Sequence, residues 1–187
     1  SHPPLEAIFT ASEEIGLEGA QEVQAGWLKG SILLNLDYED EGELCIGCAG
    51  AVNGNYTLPL QYESLAGQGY HLHVRGLKGG HSGVEIHLQR GNAIKILARA
   101  LHALQDDAAN ALRIVNLEGG DLRNAIPREA DALITLNGGN LATAQQNLQE
   151  LTAHIRNELP PEDQTLHISL EPAETISRAF SEKSTAQ

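Results

Sequence analysis

Three acidic side chains and one histidine are the residues from which this sequence could build a reactive site. Glu13 and Glu14 are adjacent, at the end of the β-rich run Leu5-Glu6-Ala7-Ile8-Phe9-Thr10, and Asp37 ends the apolar run Ser31-Ile32-Leu33-Leu34-Asn35-Leu36. Neighbouring carboxylates repel one another unless a proton or a cation relieves them. In an extended segment, consecutive side chains also point to opposite sides. One of the pair can then hold a metal while the other faces a reacting water. Hard oxygen donors on adjoining strand tips suit a divalent cation, in hydrolases commonly Zn²⁺. A solvated acidic edge is the plainer reading of the same residues. His81 stands in Leu77-Lys78-Gly79-Gly80-His81-Ser82-Gly83-Val84-Glu85-Ile86-His87, bracketed by glycines. Such a loop can carry an imidazole out from the body of a domain, although a glycine-rich turn can also hold a histidine with no task.

These residues need elements to position them. Leu5–Thr10, Ser31–Leu36 and Leu44–Cys48 read as strands, the second apolar on both faces like a buried parallel strand. Acidic residues at such strand ends lie where open α/β sheets place their sites. From Ala51 to Gly69 the pattern breaks, with Asn53-Gly54-Asn55 and Gly67-Gln68-Gly69 as turn material. Beyond it, Tyr70–Arg75 alternates as a strand. A helix is predicted over Asn92–Leu104, burying Ile94, Leu97, Ala98, Leu101 and Leu104. Leu112–Leu117 and Ala132–Leu136 read as strands. A second helix, from about Ala142 to Leu159, buries Leu148, Leu151, Ile155 and Leu159 and stops at Pro160-Pro161. Leu166–Leu170 closes the set. The expected fold class is therefore α/β (α+β): part of an α/β sheet over 1–57, then a ferredoxin-like β-α-β-β-α-β domain over 58–170. Residues 171–187 are expected to begin a helical segment.

Composition narrows the function. The 187 residues carry 25 acidic and 12 basic side chains, a formal net charge of -13, which argues against a nucleic-acid partner. Hydrophobic residues make up 41% of the chain, enough to pack a core. No apolar run reaches the length of a membrane span, and no signal peptide is read. Cys45 and Cys48 are spaced C-x-x-C on a predicted strand, where they would face opposite ways; small buried apolar residues in a reducing compartment, the cytoplasm, fit them better than a metal or redox pair. His71 and His73 share one strand face, as water-facing residues or a metal pair. Trp27 reads as packing. The chain has no methionine and opens on Ser1-His2-Pro3-Pro4. With Phe180-Ser181-Glu182-Lys183 starting a helix near the other end, it reads as a segment cut from something longer.

Thr10–Ala20, Leu34–Glu43, Gly76–His87 and Gly119-Gly120-Asp121-Leu122-Arg123-Asn124-Ala125-Ile126-Pro127-Arg128-Glu129-Ala130 follow one another in an order that resembles the bacterial aminoacyl-histidine (Xaa-His) dipeptidases. These belong to the co-catalytic zinc metallopeptidases. The resemblance implies a two-zinc enzyme that cleaves unblocked dipeptides. By it, Glu13 is the general base, Glu14 a ligand of one zinc and Asp37 of the other. His81 is a lid histidine at the oxyanion, in relatives often supplied by the partner subunit, and Asn124 a lid residue that contacts substrate. It further implies a homodimer formed through the lid domain. The family's first His-x-Asp, its bridging aspartate and its last histidine ligand have no match here. This chain by itself is therefore expected to hold zinc weakly or not at all and to hydrolyse nothing. A non-catalytic dimerisation or ligand-binding module, or a related zinc amidase or deacylase, are the alternatives.

Overall fold

Whether an apolar run becomes a strand depends on its finding a neighbour to bond with, and the two parts of this chain differ in that respect. The computed structural model describes all residues except 1, 14, 15, 39, 40, 48, 49, 51, 106–110, 139 and 187. It divides into Ser1–Asn55 and Tyr56–Gln187.

In the first unit the described residues hold one regular element, the single helical turn α1 (Glu18–Gln21). The strands expected at Leu5–Thr10, Ser31–Leu36 and Leu44–Cys48 are not formed among the described residues. Each run lacks a ladder partner there, so its backbone gains no inter-strand hydrogen bonds. Their apolar side chains stay in solvent: Leu36 is 93% exposed and Leu44 95%. Cys45, expected to be buried, is exposed, with its thiol on the Gly47 carbonyl at 2.9 Å; Cys48 lies outside the described residues. Trp27, expected to pack, is also largely exposed. The unit's local order comes from backbone turns, such as Gly19 N–H on the Ala11 carbonyl at 3.0 Å, and from side chain to backbone bonds. The Glu6 carboxylate accepts from the N–H groups of Lys29 and Gly30, both at 2.8 Å.

The second unit is a closed sandwich. Its elements are β1 (Tyr62–Arg75), β2 (Gly80–His81), α2 (Ala93–Gln105), β3 (Ala111–Gly119), β4 (Ala125–Ile126), β5 (Ala130–Asn137), α3 (Leu141–Glu158), β6 (His167–Phe180) and α4 (Glu182–Thr185). The four long strands form one antiparallel sheet in the order β3-β5-β1-β6, and β2 and β4 form a separate ribbon. Setting the ribbon aside, this is the β-α-β-β-α-β order expected from periodicity. Alternate residues on the strands, Leu72 and Val74 on β1 with Ile134 on β5 and Leu170 on β6, share one core with Leu97, Leu104, Leu148 and Ile155 of α2 and α3. Full burial of one such aliphatic side chain contributes about 1.5–3 kcal/mol.

Two boundaries and one buried face differ from expectation. β1 starts at Tyr62, so Gly67-Gln68-Gly69 is strand; the register with β6 shifts between Ser64 and Gly67 and again between Gln68 and Tyr70. Glycine here marks a bulge and a close backbone approach, since a Cβ on Gly69 would lie 2.5 Å from the Glu174 carbonyl oxygen. β6 continues past Leu170 to Phe180, so residues 171–180 are strand where a helical segment was expected; pairing with the extended β1 holds them. The helix proper is α4, capped by the Ser181 hydroxyl on Ser184 N–H at 3.2 Å. Third, α2 buries Ala93, Ile96, Leu97, Ala100 and Leu104, a stripe turned from the expected one, and leaves Ile94 45% exposed and Ala98 on the outside.

Candidate functional site

The ribbon places the histidine loop beside the loop before β5. β2 and β4 pair Gly80 with Ile126 and His81 with Ala125, and Ser82 N–H donates to the Asn124 carbonyl at 2.8 Å. Of the two residues singled out from the sequence, His81 thus lies on β2 and Asn124 immediately before its partner strand β4. His81 is exposed and Asn124 half-buried.

The imidazole is held in one orientation. Its Nδ1 accepts from the backbone N–H of Gly83 at 3.0 Å and of Val84 at 3.2 Å. A ring nitrogen that accepts carries no proton, so the neutral ring bears its hydrogen on Nε2. Nε2–H is then a donor that the loop itself does not consume.

Glu85 and Arg90 fix the loop around this ring. Glu85 accepts from His81 N–H at 2.7 Å and pairs with Arg90 at 3.0 Å, and Arg90 also donates to the Gly79 carbonyl at 2.6 Å. The His81 N–H, followed by the Arg90 guanidinium, holds the Glu85 carboxyl below its ordinary range against the opposing effect of burial. Gly80 sits at φ 149°, a backbone conformation that side-chain-bearing residues avoid, and a Cβ there would collide with the Arg90 and Glu85 side chains. Beside the ribbon a cavity of about 660 Å³ opens, walled by Ser82, Ile86, Arg90, Ile94, Leu122 and Pro127.

Of the expected metal side, Glu13 and Asp37 are among the described residues, and both are exposed. The Glu13 carbonyl accepts from Gly16 and Leu17 N–H, and Asp37 N–H donates to the Asn35 side chain at 3.2 Å. Glu14 lies outside the described residues. Among the described residues, no group of three or more His, Cys, Asp or Glu is placed to hold a metal ion. A zinc site normally takes three or four protein ligands. The described residues therefore do not fit a complete one. His71 and His73 stack at 5.5 Å on the sheet face away from the helices, and His73 Nδ1 lies 2.5 Å from Asp131. Burial would raise the Asp131 carboxyl, but the bonds from His73 and Arg75 outweigh it and hold the group below its usual range.

Sequence reasoning passed over Glu85, Arg90 and Asp163. Asp163 follows Pro160-Pro161, beyond the end of the second helix, and is fully buried. Nothing in its neighbours distinguishes it from a solvated loop aspartate.

Residues 72–163 match the M20 peptidase dimerisation domain family. This segment is a peptidase dimerisation domain. The chain is 41% identical over 174 residues to the cytosol non-specific dipeptidase of Escherichia coli (strain K12), covering 91% of this chain and 35% of that protein. It also resembles the crystal structure of aminoacylhistidine dipeptidase from Vibrio alginolyticus, with a TM-score of 0.68 and 37% identity over 95% of this chain and 36% of that one. The chain thus spans about a third of the length of these relatives. Its dimerisation domain carries both His81 and Asn124. No helix among the described residues is long and apolar enough to cross a membrane.

Proposed function

We propose that this chain is part of a cytoplasmic zinc dipeptidase that hydrolyses unblocked dipeptides of the Xaa-His type. In it Glu13 takes the proton of the attacking water, and Glu14 and Asp37 contribute to a two-zinc site whose remaining ligands lie elsewhere in the enzyme. His81 Nε2–H donates to the oxygen on which charge develops, and Asn124 contacts the substrate. The dimerisation domain joins two copies.

The observation that carries this reading is the fixed tautomer of His81. A donor aimed in advance, needing no reorganisation when the carbonyl becomes an oxyanion, is the arrangement that lowers such a barrier. The names of the two relatives support the substrate class. The 187 residues alone are expected to be inactive, since the first His-x-Asp, the bridging aspartate and the last histidine ligand of the resembled family have no match in them.

The incomplete metal site also favours a second reading, in which the chain serves only as a dimerisation module. Glu13→Gln in the full-length enzyme separates the two: the dipeptidase reading expects turnover to be abolished while bound zinc stays at the wild-type ratio. Unchanged turnover removes Glu13 from the chemistry. A substrate panel of dipeptides, acylamino acids and carbamoyl compounds distinguishes the dipeptidase from an amidase or deacylase.

A further inference from the structure

We propose that Asp163 is a positioning residue that clamps both ends of the His81 loop and so fixes the imidazole; this rests on the reading of His81 as an active-site donor. The Asp163 side chain is completely buried. Its Oδ1 accepts from Lys78 N–H at 2.7 Å and its Oδ2 from Gly91 N–H at 2.6 Å. Lys78 lies three residues past the end of β1, and Gly91 two residues before the start of α2. One carboxylate therefore closes the whole excursion that carries His81.

Burying a carboxylate is costly unless its oxygens are satisfied, and these two N–H groups satisfy one oxygen each. Gly91 lies in a crowded corner beside the clamp: a Cβ there would sit 2.7 Å from Leu77 Cδ2 and 3.3 Å from Leu159 Cδ1, and at an ordinary contact distance, 3.4 Å, from Asp163 Oδ2. Asp163 is itself held at the end of the short turn Pro161–Asp163. Its N–H donates to the Pro160 carbonyl at 3.0 Å, and its carbonyl accepts from buried Leu166 N–H at 3.0 Å.

From the clamp a run of hydrogen bonds leads inward. Arg90, next to Gly91, reaches Gly79 and Glu85; Glu85 holds His81 N–H; Gly83 and Val84 hold the ring. Releasing either end of the loop frees the backbone groups that aim the imidazole, without touching the imidazole itself.

The test pairs hydrogen exchange with kinetics in the full-length enzyme, using Asp163→Asn, which keeps one acceptor, and Gly91→Ala, whose Cβ crowds Leu77 and Leu159 beside the clamp. Asp163→Ala is avoided because it orphans both N–H groups. Exchange across 78–91 should rise in both variants while α2 stays protected. The kcat should fall about 10- to 100-fold at equal folded fraction, with KM within about twofold. Exchange across 78–91 that matches wild type overturns the clamp. Faster exchange with wild-type kcat overturns the positioning role. A wild-type enzyme inactive on every dipeptide removes the dipeptidase reading and the positioning role with it, and exchange alone then reports on the clamp.

Discussion

Ser31–Leu36, a largely apolar run, and Tyr70–Arg75, an alternating one, both read as strands in the sequence, and only the second is a strand. Leu36 is 93% exposed, whereas Leu72 is completely buried. Tyr70–Arg75 has β5 on one side and β6 on the other. Ser31–Leu36 has no ladder in the described residues. The difference lies in the partners rather than in the residues: hydropathy marks a segment that can be buried, and pairing decides whether it is. An unpaired apolar run is also a template for association with other chains.

Substitution sharpens this contrast most. Leu72→Ala should lower unfolding stability by about 2–5 kcal/mol, through lost burial and the cavity left behind. Leu36→Ala should change it by less than about 0.5 kcal/mol, as at other exposed sites. Urea unfolding of both variants measures the difference. Equal losses would mean that the first unit is packed as tightly as the second.

Acid has a smaller effect, and a local one. The folded-state pKa of Glu85 lies below its unfolded value. Its contribution is therefore present above the ordinary carboxylate range and is lost as pH falls through the lowered value. Glu85→Gln should melt slightly below wild type at neutral pH, and the two melting curves should converge on acidification through that range. A difference that persists unchanged into strong acid would remove Glu85 from the loop's support.

Much of the second unit was legible because its elements repeat at clear periods. Leu97 and Leu104 lie on the buried stripe of α2, and Leu148 and Ile155 on that of α3. The stripe's rotation was not legible, because Ile94 outranks Ala93 in hydropathy, yet Ala93 is fully buried and Ile94 45% exposed. Gly67-Gln68-Gly69 looked like a turn because glycine serves bulges and turns alike. His81 and Asn124 were found from their motifs, and the ribbon that joins them needs only a two-residue pairing. Asp163 could not be found this way. Its role depends on Lys78 and Gly91, each more than seventy positions away in the chain, and no local pattern encodes that contact.

The most direct measurement of the central claim is the steady-state kinetics of His81→Ala in the full-length enzyme on an Xaa-His dipeptide. A preorganised Nε2–H donor at the developing oxyanion predicts a kcat about 10²–10³-fold lower, with KM changed by no more than a few-fold. A kcat equal to wild type would contradict it.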